Sequence, residues 1–144
     1  MKLTSFSDYA LRVLMFTHAA GGRLVTIEEM AGAYDISHAH LRKVVNTLSR
    51  SGYLTAVRGR AGGIRLAIPP EKIVLGDVVR ATEPDFALAD CFSSAGLCAI
   101  TECCKLQGVL DEALQAFLEV LDRKTLANIA LKPKDFRTYL EPAD

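Results

Sequence analysis

Between Asp35 and Glu71 the chain has no acidic residue, although its Lys/Arg and Asp/Glu totals are equal at 17 each. The same stretch holds Arg42, Lys43, Arg50, Arg58, Arg60 and Arg65. A balanced net charge says nothing about polyanions, but a local run of bases without neutralising acids leaves a surface of one sign. Residues 1–70 carry nine Lys/Arg against four Asp/Glu, a net +5; residues 71–144 carry eight against thirteen, a net −5. Long apolar runs are also missing. Lys2 ahead of Val13-Leu14-Met15-Phe16 imitates a secretion signal, but Asp8 and Arg12 interrupt it. No stretch reaches the roughly 20 apolar residues that cross a bilayer. The expectation is a cytoplasmic protein with no membrane partner. Cysteine is absent before residue 91 and after residue 104, which excludes a disulfide framework stapling the whole chain. Nor is there a nucleophile–base motif, a phosphate-cradling loop or a catalytic metal signature. No catalytic residue is assigned, and the chain does not read as an enzyme.

Half of the 144 residues are hydrophobic, enough for one compact core or a small module with an oligomerisation element. The reading is mainly α. Residues 4–19 form a helix with Leu11, Leu14, Met15 and His18 at helical spacing, and Gly21-Gly22 stops it. Ser5-x-x-Asp8 fits a capping box at its start. A second capping box, Thr26-x-x-Glu29, opens a short helix over Ile27–Tyr34. Asp35-Ile36 turns the chain, Ser37 caps a third helix over His38–Arg50, and Gly52 closes it.

Two short helices joined by a few residues suggest a helix-turn-helix. In the third helix Leu41, Val44, Val45 and Leu48 make one apolar stripe. Ala39, Lys43, Asn46 and Arg50 fall opposite, with His40 and Arg42 on the flanks and Ser37 and His38 at the start. Lys and Arg meet phosphates or guanine, and Asn pairs with adenine in the major groove. Any one of these residues would suit an ordinary solvated face. The missing acids across the whole segment favour double-stranded DNA as the partner. Residues 53–57 and 64–68 alternate as strands around the turn Arg58-Gly59-Arg60-Ala61-Gly62-Gly63. A hairpin after a recognition helix is a wing, from which Arg58, Arg60 and Arg65 would reach the backbone or minor groove. A nucleotide-cradling reading of the glycines fails because no helix follows them.

Residues 71–82 read as a short helix containing Ile73, Leu75, Val78 and Val79. The four cysteines then come as C-x6-C-x4-C-C, at Cys91, Cys98, Cys103 and Cys104. Structural zinc prefers close C-x2-C pairs, which are missing. An iron–sulfur cluster tolerates wide, loop-borne spacing; redox thiols and plain packed cysteines also remain open. Residues 105–123 form the longest periodic segment, with Leu106, Leu110, Leu114, Phe117 and Leu121 in one stripe. Val109, Ala113, Ala116 and Val120 widen it into a face suited to pairing two copies as a homodimer. Residues 125–144 read as a final short helix and a loosely held tail. The organisation expected is 1–82 winged helix-turn-helix, 83–104 cysteine segment, 105–130 dimerisation region and 131–144 tail.

Assembled, these pieces resemble the Rrf-two-type winged-helix regulators, small dimeric bacterial repressors that often hold an iron–sulfur cluster. The resemblance covers about residues 1–130. It rests on the opening Met1-Lys2-Leu3-Thr4-Ser5-Phe6-Ser7-Asp8-Tyr9-Ala10-Leu11-Arg12, on Arg50-Ser51-Gly52-Tyr53-Leu54, and on the arginine–glycine turn. Thr4-Ser5-Phe6-Ser7-Asp8-Tyr9 and Cys98-Ala99-Ile100-Thr101 are similar to the family's nitric-oxide-sensing branch. The resemblance implies Cys91, Cys98 and Cys104 as cluster ligands, with Asp8 of the partner subunit as the fourth. It implies an iron–sulfur cluster as cofactor, 4Fe-4S with 2Fe-2S as the alternative, and repression relieved by nitric oxide. Two features depart from the branch. Cys103 is an additional thiol able to stand in for Cys104, and the first spacing is six where five is commoner. A sister branch that regulates cluster biogenesis has histidine where this chain has Gln107. The alternatives are a regulator of the same family sensing iron, oxygen or cluster status, and a zinc-stabilised DNA-binding protein that senses nothing.

Overall fold

In the computed structural model, which describes residues 1–93 and 98–140, the first helix is α1 (Ser5–Ala19). Its N-cap is Thr4, whose hydroxyl accepts the Ser7 N–H at 3.3 Å. With Thr4 as the cap, the box position is Ser7, and Asp8 lies one residue too far along to close it. The expected capping role of Asp8 is therefore not taken. Its carboxylate pairs one turn on with Arg12, at 3.1 Å to Nε and 2.9 Å to Nη2. The buried side is Ala10, Val13, Leu14, Phe16 and Thr17, while Leu11, Met15 and His18 are only partly covered. The stripe is rotated from the expected one.

In α2 (Ile27–Tyr34) the box is reciprocal: Thr26 Oγ1 accepts the Glu29 N–H, and Glu29 accepts the Thr26 N–H. Asp35 ends the helix at φ +53°, a left-handed position that Asp tolerates. Ser37 caps α3 (His38–Arg50) by accepting the His40 N–H at 3.3 Å. The end of α3 is a Schellman motif, with Gly52 at φ +82°, Tyr53 N–H to Leu48 O and Gly52 N–H to Ser49 O. Leu41, Val44, Val45 and Leu48 are its buried residues, as the periodicity demands.

Strands β1 (Leu54–Val57) and β2 (Gly63–Leu66) pair antiparallel with Leu54 opposite Leu66 and Val57 opposite Gly63. They are shorter than the expected strands, and Val25 adds a single bridge to Ile64. The turn needs glycine at 62, where a Cβ would stand 2.3 Å from the Val57 carbonyl oxygen.

Residues 71–82 are not one helix. A 3-10 turn over Pro70–Lys72 comes first, Ile73 is extended, and α4 (Leu75–Thr82) follows. The break has a tertiary cause. Ile73 O accepts the Leu126 N–H, Leu75 N–H donates to Lys124 O, and Val74 bridges to Thr125. The Ser/Gly/Ala-rich residues 94–97, between Cys91 and Cys98, lie outside the described residues. Helix α5 (Leu106–Asp122) is one residue shorter at each end than expected. After a 3-10 turn over Leu126–Ile129, α6 (Pro133–Tyr139) returns to the first helix. There Phe136, 3% exposed, meets Phe16 edge-on with ring centroids 5.0 Å apart. Leu126 and Phe136 share one core with α1, α2, α3 and the hairpin, so much of the expected loose tail is firmly seated. Residues 141–144 lie outside the described residues.

Candidate nucleic-acid interface and cysteine segment

Helix α3 packs against α1 and β1, and burial of its apolar stripe turns the opposite face outward. Ser37, His38, His40, Arg42, Lys43, Asn46 and Arg50 are all exposed there. Arg58 and Arg60 stand exposed in the hairpin turn, and Arg65 is exposed on β2 opposite Thr55. Arg65 borders an open depression with Thr17 and His18, away from the turn that carries the other two arginines. Among the described residues, none of these cations has a carboxylate within 4.0 Å. The side chains expected to face DNA are thus exposed and, among the described residues, unneutralised, though the Ser37 oxygen already serves as a cap.

Sequence reasoning missed two supports of this face. The Tyr9 ring lies 6.3 Å from that of His40, joining the start of α1 to the start of α3. The Arg12 guanidinium sits 5.7 Å over the Tyr34 ring, and Tyr34 donates its phenolic O–H to Arg12 O at 3.2 Å. The Asp8 hydrogen bond holds the Arg12 pKa above its usual value, and burial pushes the Tyr34 phenol up to about 12.

All four cysteines are free thiols; Cys91 and Cys104 are half-buried, Cys98 and Cys103 exposed. Cys91 sits in a 3-10 turn over Asp90–Phe92. Gln107 Nε2 donates to the Cys91 carbonyl at 3.4 Å, which sets this turn against the first turn of α5. Phe92, Cys104, Gln107, Gly108 and Asp111 line a shallow, open depression beside that contact. Cys98 O accepts both the backbone N–H and the hydroxyl of Thr101, and Cys103 N–H donates to Ile100 O. Among the described residues, no three of His, Cys, Asp and Glu gather as a metal site. The structure brings the Cys91 turn to the Cys104 end of α5, and does not bring Cys98, Cys103 or Asp8 into a site with them. Thiolates are soft donors suited to iron–sulfur groups and zinc alike.

Helix α5 has one buried residue, Leu118. Leu110, Leu114, Phe117 and Leu121 are half-buried, whereas Ala113 and Ala116 are exposed and Leu106, Val109 and Val120 are 61%, 59% and 50% exposed. Positions 106, 109, 113, 116 and 120 recur at three and four residues, the spacing of a helix–helix seam.

A helix-turn-helix with a hairpin wing and an outward basic face defines a DNA-binding regulator of the winged-helix class. The chain belongs to the Rrf2 family, described as an iron-dependent transcriptional regulator, whose profile matches residues 3–132. It is 46% identical over 143 residues to the HTH-type transcriptional regulator NsrR of Bacillus subtilis (strain 168), covering 98% of each chain. The protein of that name from Geobacillus kaustophilus (strain HTA426) is also 46% identical, over 98% of this chain and 97% of its own. Among solved structures, CymR (YrzC), the global cysteine regulator of B. subtilis, superposes with a TM-score of 0.73 at 22% identity. That match covers 90% of this chain and 96% of the other, and shows the fold. The protein is therefore a transcriptional regulator and not an enzyme. Among the described residues, no helix is long and apolar enough to cross a membrane.

Proposed function

We propose that the protein is a cytoplasmic, homodimeric repressor whose hold on its operator is controlled by an iron–sulfur cluster reactive toward nitric oxide. The observation that carries this reading is the placement of four free thiols. They lie on the one segment that joins the basic head to a helix with an uncovered apolar face. The 46% identity over nearly the full length to NsrR-named regulators supports it, as does the resemblance of Thr4–Tyr9 to the nitric-oxide-sensing branch.

The donor chemistry fits. Cys91, Cys98 and Cys104 would hold the cluster, with Asp8 of the partner subunit as the fourth ligand and Cys103 the alternative to Cys104. When bound, the cluster supplies iron open to attack by a small diatomic signal. The residues of this chain do the rest. Asp8 has a resident partner in Arg12, so its carboxylate is not left uncompensated when it is not a ligand. Gln107 is engaged with the Cys91 carbonyl and anchors the segment. The exposed seam of α5 pairs two chains, and residues 1–82 of each present α3 and the wing to one half-site. Three thiolates and one carboxylate suit a 4Fe-4S cluster, with 2Fe-2S the alternative. The test is anaerobic purification with iron, sulfide and native mass analysis. A brown dimer with one cluster per chain is expected; a colourless zinc-loaded protein would overturn the cluster.

A further inference from the structure

Helix α5 is held near its start by the Gln107–Cys91 hydrogen bond, but its ties to the rest of the chain are densest at its C-terminal end. Among the helices and strands, α4 is the one that packs substantially against it, and the ties gather at the α5 C-terminus. Asp122, the last residue of α5, takes a bidentate fork from Arg80 of α4, with Nη1–Oδ1 2.5 Å and Nη2–Oδ2 2.8 Å. Just beyond it run the Leu75–Lys124 hydrogen bond and the Val74–Thr125 bridge. The fork rests on a glycine. A Cβ at Gly76 would stand 1.8 Å from Asp122 Oδ1 and 2.8 Å from Arg80 Nη1. The other end of α5 carries Leu106 and Val109, both open to solvent.

An exposed ion pair adds little to stability. What two parallel hydrogen bonds to one carboxylate do fix is orientation. Helix α5 has 17 residues, so it spans about 25 Å. A tilt of about 10° at the joint would carry its far end about 4 Å, more than the roughly 3.4 Å rise of one base pair.

We infer that the Arg80–Asp122 fork, seated on Gly76, is the positioning joint that sets the angle between the DNA-reading head and the helix that pairs two copies. It thereby sets the half-site spacing that the dimer accepts. The inference rests on the pairing role of α5 and needs nothing of the cluster.

The test uses full-length protein purified anaerobically, with its iron content measured. The probes are the duplex that wild-type protein enriches from a random library, the same duplex with its centre lengthened or shortened by one base pair, and a single half-site. Arg80→Ala and Gly76→Ala should keep half-site affinity and melting temperature near wild type. Both should lose about tenfold discrimination between spacings. Gly76→Ala is informative because it keeps every charge and favours helix, acting by displacing the two partners of the fork, the Asp122 carboxylate and Arg80 Nη1. The exchanged pair Arg80→Asp/Asp122→Arg should regain discrimination to within about threefold of wild type. Single variants that discriminate as wild type does would overturn the joint. So would variants whose half-site binding and melting temperature fall together with discrimination, or an exchanged pair no better than the singles. Wild-type protein that sediments as a monomer and ignores spacing would instead overturn the pairing role of α5, and the joint with it.

Discussion

Replacing Arg60 with alanine tests the DNA face through its salt dependence. Arg60 stands exposed in the hairpin turn, with no carboxylate within 4.0 Å among the described residues. With Arg42, Lys43, Arg50, Arg58 and Arg65 it makes six such cations per chain, hence twelve in a dimer. If half of them meet phosphates, about six counterions are released and log K falls against log salt with a slope near −5. Between about 50 and 200 mM salt the affinity should then drop roughly a thousandfold. Arg60→Ala removes one phosphate contact from each head, so the slope should flatten by about 2. The loss should appear equally on operator and scrambled duplex. Asn46→Ala should leave the slope alone and relax preference at particular bases. Fluorescence anisotropy at four salt concentrations with both duplexes measures all of this. Salt-independent binding, or a wild-type slope in Arg60→Ala, would refute the assignment of the wing turn to the DNA backbone.

Among the thiols, Cys91→Ala, Cys98→Ala and Cys104→Ala should lose the visible absorbance of anaerobic protein, while Cys103→Ala keeps it; the reverse outcome for the last two reassigns the third ligand. Val109→Glu places a charge on the exposed α5 seam and should yield a folded monomer in sedimentation, with a melting temperature that no longer rises with protein concentration, whereas a persisting dimer would move the interface elsewhere. Burial raises the Tyr34 phenol from 10.0 to about 12, so the folded chain holds that proton more tightly than the unfolded one. Its contribution is complete below pH 10.0 and fades as pH rises toward about 12. After allowance for solvent reaching the half-buried ring, about 1 kcal/mol is at stake. Urea melts of Tyr34→Phe should lose less stability over that window than wild type, and parallel curves would contradict the cause given.

Local signals made α2 and α3 legible to the residue. Thr26-x-x-Glu29 and Ser37 open them and Gly52 ends the second, each by chemistry within one turn of the helix end. The start of α1 was harder, because Thr4 and Ser5 both suit a cap. Glu83 settles it from 79 residues away by accepting the Thr4 N–H and hydroxyl at 2.8 and 3.1 Å. The break at Ile73 was likewise hidden, since its spacing suits a helix and only the pairing with residues 124–126 pulls it out. The breadth of the α5 apolar face was plain from the periodicity. Which side stays open was not: Leu114 and Phe117 are half-buried and line a pocket shared with residues 1–4 and 83–88, whereas Val109 and Val120 are exposed. The Arg80–Asp122 fork joins residues 42 apart and has no local signature. At the site, the basic face was legible because exposure follows from the buried stripe of α3. The thiols were legible only as a spacing, and among the described residues they do not gather, because no helix or strand of the core reaches across the segment to bring Cys98 and Cys103 to Cys91.

The central claim is that the state of the cysteine segment governs the grip on DNA. Anaerobic cluster-loaded protein bound to its operator is titrated with nitric oxide, with absorbance and anisotropy followed in one cuvette. The account requires release from DNA in step with the absorbance change. It also requires an affinity loss of about a hundredfold, the equivalent of about 2.7 kcal/mol of coupling, with the chain still folded by circular dichroism. Cluster-free or nitric-oxide-treated protein that holds its operator as tightly as the loaded form would contradict it.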